Sequence, residues 1–121
     1  MAPRDQLETL VTRIEDSDTI SEADREVLLD FFDTLELLGA KYSDHRKLKL
    51  LRHVTIMAEE EGGVAAALDD REAAEDLVRW IHANYDNEET NRDYRVALKV
   101  FGRRVSDENG DEPPEALEWI P

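Results

Sequence analysis

The chain is expected to fold as an all-α, single bundle domain of about five helices. Three observations carry that expectation. Apolar residues recur at intervals of three and four in five separate stretches, the spacing of one helical face. No stretch alternates apolar and polar residues over the length of a strand. The joins between the stretches are short, and 121 residues make one domain with a modest core.

The first stripe is Leu7, Leu10, Val11 and Ile14. The second, Leu28, Phe31, Phe32, Leu35 and Leu38, opens after Ser21, whose hydroxyl suits an N-cap. Gly39 lies just past its end, where a helix favours a residue with positive φ. Leu50, Leu51, Val54, Met57 and Ala58 make the third, begun near Ser43 and stopped by Gly62-Gly63. Ala74, Leu77, Val78, Ile81 and Tyr85 make the fourth, capped by Asp69 or Asp70. The fifth is Tyr94, Ala97, Leu98, Phe101 and Val105, entered through Asn87 or Thr90. Residues 106–114, SDENGDEPP, read as a solvated loop, and the chain contains no internal repeat.

Thirty acids stand against fifteen bases, for a formal charge of −15, and only four of the bases are Lys. Ordinary solubility charge is one reading of that excess. Its size, with Arg in place of Lys, points rather to a salt-adapted, halophilic host. The absence of cysteine excludes disulfides and thiolate metal sites. MAPRDQLETL has no apolar leader core, and no apolar run approaches the roughly 18 residues of a membrane span. A cytoplasmic protein without membrane contact is expected. The apolar ending EALEWIP suggests a chain that continues beyond Pro121.

Against this acidity stand two basic islands. Residues 41–55 hold Lys41, Arg46, Lys47, Lys49 and Arg52 with one acid, Asp44. Residues 90–106 hold Arg92, Arg95, Lys99, Arg103 and Arg104, again with one acid, Asp93. Arg92, Arg95, Lys99 and Arg103 share one face of the fifth helix, beside its apolar stripe. On the third helix His45, Lys49, Arg52 and His53 share a face, flanked by Arg46 and Lys47. A helix with one face buried and a basic face exposed can dock on phosphates and reach into a groove. The competing reading is a solvated charged face paired with acids one turn away. Such intrahelical partners are largely missing here.

The run EETNRDYRVALKVFGRRV also resembles the last helix of the N-terminal, SAM-like core-binding domain of archaeal tyrosine recombinases and phage integrases. That helix typically reads Thr-x-x-x-Tyr-Arg-x-x-Leu-x-x-Phe, and Thr90, Tyr94, Arg95, Leu98 and Phe101 match it. YSDHRKLKLLRHVTIMAEEEGG looks like the family's second long helix, and PPEALEWIP like the segment leading to its catalytic domain. The resemblance covers most of residues 20–121. It departs from the family in overall charge, since core-binding domains are usually basic. It implies a helical core-binding domain over residues 1–105. Residues 106–121 would be an acidic loop and the start of a linker to a C-terminal catalytic domain.

The resemblance implies a non-catalytic domain that clamps double-stranded DNA at a recombination site. Its own C-terminal catalytic domain and other recombinase protomers would be the further partners. DNA contacts are assigned to His45, Arg46, Lys47, Lys49, Arg52 and His53 on the third helix. On the fifth they are assigned to Thr90, Arg92, Arg95, Lys99 and Arg103. The family's catalytic His-x-x-Arg box is absent: His45, His53 and His82 are followed three residues on by Leu48, Ile56 and Tyr85. Tyr94 falls in the apolar register, as a core residue does. The histidines lack the i, i+4 pairing of a helical metal site, and there is no Gly-rich phosphate loop. Neither enzymatic activity, cofactor nor metal is expected of this stretch. The alternative reading is an acidic helical protein-interaction module or a DNA mimic. A mimic needs carboxylates spread over a continuous face, which the islands interrupt.

Overall fold

The computed structural model describes residues 2–106 and 112–121, and every regular element among them is helical. Helix α1 spans Pro3–Asp16, α2 Glu22–Leu37, α3 Asp44–Glu60, α4 Arg71–Asn84 and α5 Glu88–Ser106. A 3-10 turn occupies Ala66–Leu68, and a one-turn helix, α6, occupies Glu115–Glu118. No helix among the described residues is long and apolar enough to cross a membrane.

Side-chain caps start three of the helices where the sequence places them. Ser21 Oγ accepts from the Asp24 amide, Ser43 Oγ from the Arg46 amide and Asp70 from the Glu72 amide. Asn87 Oδ1 accepts from the Thr90 amide at 3.1 Å, so the entry to α5 is Asn87, with Thr90 in the first turn. Gly39 does not supply the expected left-handed residue. Positive φ among the described residues occurs only at Gly62 and Gly63. The chain leaves α2 through a further turn instead, in which the Lys41 amide donates to the Leu38 carbonyl at 2.8 Å. Gly62 and Gly63, at φ 81° and 85°, carry the chain off α3 in a conformation that L side chains resist.

Helix α3 lies between α1 and α5, while α2 closes the other side of α3 and α5. Leu50, Leu51, Val54 and Met57 of α3 are therefore enclosed from several directions. The Phe31 and Phe101 rings meet edge to face at 5.4 Å, joining α2 to α5 in the centre of the core. Asp24, buried in the first turn of α2, accepts hydrogen bonds from the Gly63 and Ala65 amides at 3.0 and 2.9 Å. Its carboxylate thus fixes the turn after α3 to the start of α2, satisfying two backbone donors in the interior.

The segment after α5 differs from a departing linker. Of the acidic loop, residues 107–111 lie outside the described residues. Beyond them Ala116, Leu117 and Ile120 are buried, and α6 packs on α4, α5 and the 3-10 turn. Gly102 makes that docking possible, because a Cβ there would collide with Leu117 Cδ1 and stand 3.1 Å from Pro114 Cδ. The packing therefore extends past residue 105, the boundary expected for the helical domain.

Candidate nucleic-acid interface

Its place between α1 and α5 leaves α3 one narrow outward stripe, on which His45, Lys49 and Arg52 are exposed and His53 is half-buried. Arg46 is exposed beside them. Lys47 belongs elsewhere. It is 5% exposed, and its Nζ lies 2.7 Å from Glu36 Oε2 on α2. Arg4 of α1 also binds Glu36. The Arg4 hydrogen bond, with help from Lys47, holds the Glu36 carboxyl down at about 2. Lys47 is thus a buried tie between α3 and α2 and does not present its charge to the surface. Its place in the register with Leu51, Val54 and Ala58, the buried face, is the signal for this.

On α5, Arg92 is exposed, while Thr90, Lys99 and Arg103 are partly exposed. Arg95 is drawn inward. Its side chain is 11% exposed, and its Nε donates to Asn91 Oδ1 at 2.8 Å. Nη2 donates to Glu88 Oε1 at 2.9 Å and Nη1 to the Pro121 carbonyl at 3.3 Å. Asn91 is itself buried and donates to the Tyr85 carbonyl at 3.1 Å. Arg95 therefore closes a network at the α4–α5 corner, with its fork of donors occupied.

Two contacts bring the stripes together. Lys49 Nζ lies 2.9 Å from Asp93 Oδ2, so the lone acid of the α5 island faces the α3 island. The His53 ring meets the Tyr94 ring edge-on at 4.2 Å. Burial pushes the His53 imidazole pKa below its ordinary value, against the opposing pull of Asp93. Tyr85 Oη donates to Tyr94 Oη at 2.8 Å, and burial pushes the Tyr94 phenol pKa up.

The ion pairs sort the bases sharply. Arg4, Arg13, Arg25, Lys47, Lys49, Arg71, Arg79 and Arg95 each have a carboxylate within 4.0 Å. Among the described residues the other seven of the fifteen have none, and all seven lie in the two islands: Lys41, Arg46, Arg52, Arg92, Lys99, Arg103 and Arg104. Arg104 leans on Tyr42, donating to its hydroxyl at 2.9 Å. Arg52 donates to Gln6 Oε1 at 3.4 Å, a contact from α1 that the apolar stripe of α1 does not foretell. Among the described residues no three His, Asp or Glu side chains gather as a metal site. No protein-family model, curated protein or solved structure matches this chain.

Proposed function

We propose that this bundle is a duplex-DNA-binding module, the non-catalytic core-binding part of a site-specific tyrosine recombinase or integrase. One observation carries the DNA-binding reading: in a chain with thirty carboxylates, seven bases have no carboxylate partner among the described residues, and all seven lie in the two islands. Scattered solubility charge would have left unpaired bases on α1 and α4 as well. Bases without carboxylate partners on adjoining helices are free to displace counterions from a phosphate backbone. The recombinase assignment is supported by the Thr90, Tyr94, Arg95, Leu98 and Phe101 pattern alone. Burial of Tyr94, Leu98 and Phe101 suits their part in it as core residues. The carboxylate excess elsewhere favours a haloarchaeal-type host, where concentrated salt screens self-repulsion.

The test is binding of the chain to duplex DNA, read by gel shift at fixed salt. Replacing Arg46, Arg92 and Lys99 together with Glu is expected to abolish binding. Arg95 is left out because its loss would disturb the α4–α5 corner. Reversing the exposed Glu26, Asp30 and Asp33 of α2 to Lys is expected to leave binding intact. Equal losses from both sets would remove the interface from α3 and α5.

A second reading, an acidic protein-interaction module, is favoured by Leu37. This residue is 86% exposed at the end of the acidic α2.

A further inference from the structure

Two open depressions adjoin along the seam between α1 and α3, sharing Gln6 and Arg52. The larger, about 430 Å³, is bounded by His45, Lys49 and His53 over Leu48. The smaller, about 170 Å³, is bounded by Thr9 and Arg13 over Leu10. Among the described residues none that bounds them carries a carboxylate, in a chain where thirty of 121 residues are Asp or Glu. Helix α1 itself carries Asp5, Glu8, Glu15 and Asp16, and none of them lines the seam. Two carboxylates from neighbouring positions bind bases of the rim: Glu59 pairs with Arg13 and Asp93 with Lys49. Arg52, at the junction of the two depressions, has no carboxylate partner among the described residues. The half-buried His53 belongs to the same wall.

We infer that this seam is a phosphate-binding groove that carries the nucleic-acid face onto α1. The inference rests on the duplex-DNA reading above and adds to it a helix that the sequence assigns to the core alone. Arg52 is the central charge; Arg13 and Lys49 stand at either side, each paired with a carboxylate that an incoming phosphate would displace. Thr9 and Gln6 lie between them as uncharged residues, and Leu10 and Leu48 form an apolar floor. A phosphodiester strand fits this layout: its phosphates meet the rim donors and its sugar carbons meet the floor.

Thr9 is the residue to change, because it is exposed and its hydroxyl donates to the Asp5 carbonyl of its own helix. Affinity of the chain for a duplex oligonucleotide, measured by fluorescence anisotropy, should fall about three- to tenfold with Thr9→Glu at roughly 0.1 M salt. With Thr9→Arg it should rise by a similar factor. The log–log salt slope of Thr9→Arg should steepen by about 0.9, the signature of one added phosphate contact. Circular dichroism of both variants should match the parent. If Arg92→Glu weakens binding and both Thr9 variants leave affinity and slope unchanged, the groove is overturned while the DNA reading stands. If the parent chain binds no duplex, the DNA reading fails, and inorganic tripolyphosphate then decides the groove. Amide shifts confined to residues 6–13 and 45–53 on titration would keep it as a site for free polyphosphate. Their absence would overturn it.

Discussion

Helices α3 and α5 each carry an inward-turned base, and the two are held in different ways. Lys47 of α3 meets a carboxylate of another helix, Glu36, which Arg4 also binds. Arg95 of α5 is held mostly by its own neighbourhood: Asn91 one turn back, Glu88 at the start of the same helix, and the Pro121 carbonyl. An ammonium is a compact charge that needs a counter-charge when water is removed. A guanidinium is a fork whose donors can be divided among neutral and charged acceptors. Both islands hold five bases and one acid, yet among the described residues α5 keeps Arg92, Lys99, Arg103 and Arg104 without carboxylates. Among the same residues α3 keeps Arg46 and Arg52. Register against the core withdraws Lys47 and Arg95, and an acid on the facing helix, Asp93, withdraws the exposed Lys49.

The strongest way to break this comparison is to loosen the core contact that sets the register of α5. Phe101 is fully buried against Phe31, so Phe101→Ala should destabilise by about 3–5 kcal/mol in urea unfolding. A loss below about 1 kcal/mol would mean that the site can collapse and that the ring does not fix α5. Next in size is the contrast between neighbours on α3. Lys47→Ala removes a buried donor from Glu36 and should cost about 1–3 kcal/mol. Arg46→Ala, on an exposed side chain, should stay within about 0.5 kcal/mol. Equal effects would erase the distinction between the tie and the free surface.

The parts of the fold set by local chemistry were the legible ones. Apolar periodicity located all five long helices; Ser21 and Ser43 marked the starts of α2 and α3, and the structure chooses Asp70 over Asp69 and Asn87 over Thr90 for α4 and α5. What escaped depends on distant segments. Gly39 carries no sign that the chain will continue turning after α2 rather than reverse. Gly102 reads as a flaw in a helix until Leu117 is seen lying against it. Asp24 looks like an ordinary first-turn acid, although its partners are the Gly63 and Ala65 amides. Within the candidate interface, the clustering of bases was visible as composition. Their sorting into ties and unpaired charges was legible only for Lys47, which shares the register of Leu51, Val54 and Ala58; Arg95 is held by Asn91, Glu88 and the distant Pro121 carbonyl, which no periodicity announces. Gln6 and Thr9 had no basic signature at all, and only the packing of α1 on α3 brings them to the stripe.

The smallest expected effect sharpens the comparison at the contact where α3 and α5 touch. His53 faces Lys49 and Arg52 from its own helix, Asp93 and Tyr94 from α5, and Gln6 from α1. Burial, the largest influence, lowers its pKa; the Lys49 and Arg52 charges push the same way, while Asp93 and a hydrogen bond with the Lys49 backbone oppose them. The unfolded chain therefore takes up this proton more readily than the folded one. Stability is fully present above about pH 6.5, the unfolded value, and is lost as pH falls through the depressed folded value. Glu36 contributes a separate loss at lower pH, as its carboxyl titrates between 4.5 and about 2. Thermal melts from about pH 8 to pH 5 isolate the histidine from that carboxylate. The parent should lose melting temperature across this range, and His53→Gln should lose measurably less. Parallel curves for the two would show that protonation of His53 does not strain the α3–α5 contact. The buried imidazole would then be a packing element with no electrostatic hold on the interface.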